Sequence, residues 1–121
     1  MGKFKPHSFE TIRSTLSSTL YADMLESHAF KSLSSNAVRL YVYMKLQFYG
    51  QKEIKGRDKL DFYFNKAIWK DKYELFKNGE QFAKAKNELI TKGFIEEIEN
   101  GKITRTKTIY RFSEKWKEFK N

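Results

Sequence analysis

The chain has 121 residues and a mass of 14.5 kDa, enough for one compact unit or two small subdomains sharing a core. It contains no cysteine, which excludes disulfides and cysteine-ligated zinc, and its aromatic content of 17% is ample for a hydrophobic core. The formal charge of +9 and pI near 9.6 suit a polyanionic partner such as nucleic acid. Residues 1–50 carry six basic against three acidic side chains, 51–77 eight against five, and 78–121 ten against seven. The excess therefore belongs to the folded body and not to one tail.

Residues 1–17 read as a basic lead-in with the only proline, Pro6; Lys3, Lys5 and His7 precede no long apolar run, so no secretory signal is expected and the location is cytoplasmic. A short helix is predicted over Ser18–Glu26, with Leu20, Tyr21, Met24 and Leu25 as its apolar stripe. The cap-type residues Ser34, Ser35 and Asn36 then open a strong helix running to Gly50. Val38, Leu40, Tyr41, Val42, Met44, Leu46 and Phe48 make this helix apolar nearly all round, as a buried central helix requires. Its most apolar part, Leu40–Tyr49, holds Lys45 and Gln47 and is too short to span a bilayer. Gly56-Arg57-Asp58 reads as a hairpin turn before a strand at Leu60–Phe64. Lys66–Phe76 reads as a helix, whole or broken, with Ile68, Trp69, Tyr73, Leu75 and Phe76 inward.

The segment from Asn78 to Phe112 is the most informative. Asn78 is a good N-cap and Gly93 a natural terminator. Between them Phe82, Ala85, Leu89 and Ile90 fall on one face, leaving Gln81, Lys84, Asn87, Glu88 and Thr91 on the other. A strand through Phe94, Ile95 and Ile98 follows. Asn100-Gly101 is suited to a two-residue type I′ turn, and the return strand from Lys102 to Phe112 carries four cations and no acid. Helix, glycine and basic hairpin in that order predict an α+β winged helix-turn-helix, its helix entering the major groove of double-stranded DNA and its wing reaching phosphates or the minor groove.

The two halves echo each other. A helix, a glycine, a hairpin, Phe62-Tyr63-Phe64-Asn65 and Trp69-Lys70 are followed by a helix, a glycine, a hairpin, Tyr110-Arg111-Phe112-Ser113 and Trp116-Lys117. This suggests two winged helices duplicated within one chain and sharing a core, with a degenerate half at 18–64 and a second at 65–121. Such a chain is expected to act as a monomer; without the duplication a homodimer is expected. Paired reading helices would lie about 34 Å apart to meet successive major grooves.

The expected contacts follow from the side chains. Lys102, Arg105 and Lys107 would anchor phosphates, and Asn78 and Thr104 would hydrogen-bond to the DNA backbone. Gln81, Lys84 and Asn87 would face base edges, since Asn and Gln pair with adenine and Lys reaches guanine acceptors. Ser35, Asn36 and Arg39 are lesser candidates in the first half. The plainer reading of the wing cations is that they keep an edge strand soluble. Neither a catalytic nor a metal site is expected, nor a cofactor or small-molecule substrate. His7 and His28 have no ligand spacing, with His28 packing or capping beside Phe30; there is no phosphate-binding glycine loop, and Glu96, Glu97 and Glu99 read as a solvated strand face.

The run Leu25-Glu26-Ser27-His28-Ala29-Phe30-Lys31-Ser32-Leu33-Ser34, together with Leu89-Ile90-Thr91-Lys92-Gly93-Phe94-Ile95 and Tyr110-Arg111-Phe112-Ser113-Glu114-Lys115-Trp116, resembles small winged helix-turn-helix proteins of Gram-positive conjugative plasmids. The same motifs resemble TraN-type transfer-operon repressors of such plasmids. The resemblance implies a sequence-specific double-stranded DNA-binding protein, a repressor or accessory factor of conjugative transfer genes acting near an origin of transfer. The alternative expectation is a winged-helix protein-interaction module or a plasmid replication-associated factor.

Overall fold

The structure is a computed structural model describing residues 20–101 and 107–118. Its centre is the helix α3, Ser35–Gly50. The Ser34 hydroxyl caps it by accepting the Ala37 N–H at 3.2 Å. Ala37, Leu40, Tyr41 and Met44 recur at helical spacing and are buried, while Val38, Val42, Leu46 and Phe48 are half-buried. Two one-turn helices precede it, α1 (Ala22–Leu25) and α2 (His28–Lys31). The helix expected over 18–26 is thus shorter within the described residues and only Met24 of its stripe is buried; Tyr21 and Leu25 are exposed. The break comes from Ser27, whose hydroxyl accepts the Phe30 N–H at 3.1 Å and starts a new helix. His28 is the exposed first residue of α2 and caps nothing.

Beyond α3 the chain turns at Gly56, with φ +78°, where the Arg57 N–H reaches the Ile54 carbonyl at 3.0 Å. A strand β1 (Asp61–Tyr63) follows, one residue shorter at each end than expected. A π-helix runs over Ala67–Lys72, then the chain leaves helical geometry at Glu74, with φ +54°, and buries Leu75 and Phe76 without helix. The helix expected to continue to Phe76 therefore stops four residues early. Helix α4 (Gly79–Thr91) and strands β2 (Ile95–Glu99) and β3 (Ile109–Phe112) complete the main frame, and a 3₁₀ turn covers Lys115–Glu118.

The strands form one antiparallel sheet in the order β1-β3-β2, with Phe62 opposite Tyr110 on one side of β3 and Glu97 opposite Tyr110 on the other. This corrects two expectations. The turn at Gly56 carries a single strand, and that strand joins β3; among the described residues the first half closes no wing of its own, so the duplicated pair of winged helices is not formed. Nor is the two-residue turn at Asn100-Gly101 made, because Glu99 pairs with Ile109 and not with Lys102. The register shifts at Ile98, the Asn100 amide donates to Glu97 at 3.1 Å, and the Gly101 N–H donates to the Thr108 hydroxyl at 2.9 Å. These local bonds hold the chain in a wider connection than a type I′ turn.

The echo between the halves has a structural counterpart. β1 and β3, which carry the two similar strand sequences, are antiparallel neighbours, and Phe62 stacks on Phe112 with ring centroids 4.5 Å apart. Each strand leads to a tryptophan that stacks on a phenylalanine near one end of α4: Trp69 on Phe82 at 5.0 Å and Trp116 on Phe94 at 6.0 Å. Gly93 makes the second packing possible. Its φ is +87°, and a β-carbon there would stand 2.5 Å from the Trp116 backbone nitrogen. α4 is thereby held at both ends against the sheet.

Candidate nucleic-acid interface

α4 begins with a reciprocal cap. The Asn78 side-chain oxygen accepts the Gln81 N–H at 2.9 Å, and the Gln81 side-chain oxygen accepts the Lys77 N–H at 3.0 Å. Ala85 and Leu89 bury one face, with Phe82 and Ile90 half-buried beside them; Gln81, Lys84, Asn87 and Thr91 are exposed on the other. The binary pattern of the sequence is thus realised. One member of the polar face departs from it. Glu88 accepts from both the backbone N–H and the hydroxyl of Ser34, at 2.6 and 2.8 Å, and lies 3.8 Å from Lys92. Its carboxylate pins the start of α3 to α4 and partly neutralises Lys92.

That contact decides where the first-half candidates lie. Ser35, Asn36 and Arg39 are exposed at the start of α3, directly beside the open face of α4. Asn36 shares one shallow hollow with Gln81, Lys84 and Glu88, and a second with Arg39, Lys70, Glu74, Lys77 and Gln81. The expected 34 Å separation is corrected: both helix starts belong to one patch, because the Ser34–Glu88 bonds hold them together. Arg39 donates from one guanidinium nitrogen to the Leu75 carbonyl at 2.9 Å, which fixes its stem and leaves its remaining N–H groups directed by it. Lys70 and Lys77, which the sequence reading passed over, bring two further cations. Lys77 adjoins the cap residue Asn78, a signal that was available; for Lys70 no sequence signal existed. Among the described residues no acid pairs with Lys70, Lys77 or Lys84.

The sheet end differs. Lys107 is exposed before β3, its ammonium 5.2 Å from the Tyr63 ring centre, and it lines a hollow with Lys55, Arg57 and Glu99. Arg57 pairs with Glu99. Lys102, Thr104 and Arg105 lie outside the described residues. The acids of β2 are not merely solvated, as the sequence suggested. Glu96 pairs with Lys115 at 2.8 Å, Glu97 with Lys86 at 3.3 Å, and Glu99 with Arg57. The hydrogen bond and charge of Glu96 hold the Lys115 ammonium above its ordinary pKa. Arg111 clamps the buried Asp61 across β1 and β3 at 2.5 and 3.2 Å, and that bond raises the guanidinium above its usual value. Arg111 is therefore a structural cation.

Among the described residues no group of His, Asp and Glu is placed to hold a metal ion, and no helix is long and apolar enough to cross a membrane. No protein-family model, curated protein or solved structure matches the chain.

Proposed function

We propose that the chain is a winged-helix protein that binds double-stranded DNA sequence-specifically, with α4 in the major groove. The single observation that carries this reading is the convergence of α4's exposed polar face with four cations, Arg39, Lys70, Lys77 and Lys84, none of which pairs with a carboxylate among the described residues, although Glu74 lines the hollow of the first three. The chain order of α3, β1, π-helix, α4 and the β2–β3 hairpin, with β1 added beside β3, is compatible with a winged helix and supports this reading.

The bonding within the patch assigns roles. Lys84 and Asn87 are the base-edge readers, because the Gln81 side chain is turned back to the helix start, its oxygen accepting the Lys77 N–H. Asn78 keeps its amide hydrogens for a phosphate while its oxygen caps α4. Arg39, Lys70 and Lys77 hold flanking phosphates, and Lys107, with Lys102, Thr104 and Arg105, supplies the wing. One reading surface per chain implies a homodimer on a symmetric site. The resemblance to transfer-operon repressors makes conjugative transfer genes the expected target and repression the expected outcome.

The test is a gel shift of the purified protein with fragments of its own genetic neighbourhood against unrelated duplex at physiological salt. A discrete complex on one upstream fragment is expected. Equal, salt-sensitive smearing on all fragments, or no shift, would overturn sequence-specific binding and favour a protein-interaction module.

A further inference from the structure

A second surface lies toward the other end of α3 from the patch just described. Tyr41, Lys45 and Tyr49 fall at four-residue spacing and so form one stripe of the C-terminal half of α3. Tyr41 and Lys45 line a hollow of about 310 Å³ with Tyr21, Leu60, Phe112 and Trp116. The Lys45 ammonium stands 4.3 Å from the Phe112 ring centre and 6.0 Å from that of Tyr49, so Tyr49 borders the same hollow. Tyr21, Leu25, Tyr49 and Leu60 are the exposed large hydrophobic residues among the described ones, and three of the four gather here. A gathering of this kind marks a contact surface, which an isolated exposed apolar residue does not.

The four charges around the hollow alternate in sign. Lys117 bonds Glu114 at 2.7 Å, Asp23 acts on Lys117 and Lys45 acts on Glu114, so the order runs Asp23, Lys117, Glu114, Lys45. The ends of this row are unmatched. Among the described residues Asp23 accepts the adjoining Met24 N–H at 2.9 Å, Lys45 faces aromatic rings, and neither makes an ion pair. Burial among those rings holds Lys45 below its ordinary pKa, a cost that an arriving carboxylate would offset. A row of alternating charge is complementary to itself when turned end for end. A two-fold axis at its middle sets Asp23 opposite the second copy's Lys45, and Lys117 opposite its Glu114. We infer that this face is the contact between two copies of the chain, with Tyr21, Tyr49 and Leu60 excluding water and two Asp23–Lys45 pairs fixing the register. It leaves the DNA patch open, since Tyr49 is about 20 Å along α3 from Asn36 at 1.5 Å per residue. The charge match argues for a second copy by itself; the need for two reading surfaces on a symmetric site argues for it too, and that ground rests on the DNA-binding reading.

The experiment uses the full chain without DNA, so that its failure is separate from any failure to bind DNA. Sedimentation velocity from about 1 to 200 μM brackets the micromolar Kd of a contact at the small end of specific interfaces, and a reversible monomer–dimer equilibrium is expected. Tyr21→Ser and Leu60→Ser, both at exposed positions, should each weaken association by about tenfold while the circular dichroism spectrum is unchanged. Lys45→Glu sets like charge against Asp23, and Asp23→Lys sets like charge against Lys45, so each variant alone should associate more weakly by at least about tenfold. An equimolar mixture of these two variants should recover the dimer, because both cross-contacts then join opposite charges; a role for either side chain within its own copy would not produce this. A monomer at every concentration, a dimer indifferent to Tyr21→Ser and Leu60→Ser, or a mixture no more associated than its components would overturn the inference and leave the face to a different occupant.

Discussion

The helical end and the sheet end of this molecule carry similar numbers of cations but treat them differently. At the sheet, Arg57, Lys86 of α4, Arg111 and Lys115 each meet a strand carboxylate: Glu99, Glu97, Asp61 and Glu96. Around the starts of α3 and α4, Lys70 of the π-helix, Lys77 and Lys84 meet none among the described residues, and the one hydrogen bond described for Arg39 goes to a carbonyl. Formal charge in the sequence is thus a poor guide to where a phosphate can bind. A cation already matched by a neighbouring acid offers little net attraction, whereas an unmatched one retains its field toward the solvent. The same comparison separates cations that hold the fold from cations left over for a partner.

Substitutions at the packed end should have the largest consequences. Gly93→Ala places a β-carbon against the Trp116 backbone at a positive φ, and should cost about 2–4 kcal/mol from backbone strain and the displaced 3₁₀ turn. Thermal unfolding would read this directly. Asp61→Ala leaves Arg111 without its buried partner and should cost about 2–3 kcal/mol, below the usual toll of a broken buried pair because Arg111 is 32% exposed. Denaturant melts of Asp61→Ala beside Arg111→Ala would decide whether the pair acts as a unit: their double variant should cost less than the sum of the singles.

Smaller effects are expected at the helical end, and in binding rather than folding. Lys84→Ala should weaken DNA binding about fivefold at 0.15 M salt and flatten the salt slope by about one unit, with the melting temperature unchanged. The smallest effect belongs to Glu88→Gln. It keeps an acceptor for Ser34 while removing a negative charge from the patch, so it should bind DNA slightly more tightly and cost under about 1 kcal/mol in stability. A weaker complex from Glu88→Gln, measured by fluorescence anisotropy, would mean that Glu88 itself contacts the partner.

The frame of the fold was legible where local chemistry and periodicity agree. The caps at Ser34 and Asn78, the apolar spacing of α3 and α4, and the positive φ at Gly93 are local signals and appear as read. What could not be read was long-range. Nothing near Phe62 reveals that its strand pairs with β3 across some fifty residues, so the repeated pattern reads locally as two like units, while in the structure its strands are neighbours in one sheet. The Asn100-Gly101 signal was overruled by the bulge at Ile98 and by the bonds to Glu97 and Thr108. For the site, the polar stripe of α4 was visible in its spacing. The joining of Asn36 and Arg39 to that stripe depends on Glu88 reaching Ser34, and the availability of Lys70 and Lys77 depends on which acids lie elsewhere.

The central claim is that, beside the wing, DNA is held by the unmatched cations of the helical end and not by the paired cations at the sheet. Its most direct test is the salt dependence of affinity for one duplex, compared between Arg39→Ala/Lys84→Ala and Lys86→Ala/Lys115→Ala. The account predicts a slope flatter by about two units for the first pair and essentially unchanged for the second. A slope lowered by the sheet pair and untouched by the helical pair would contradict it.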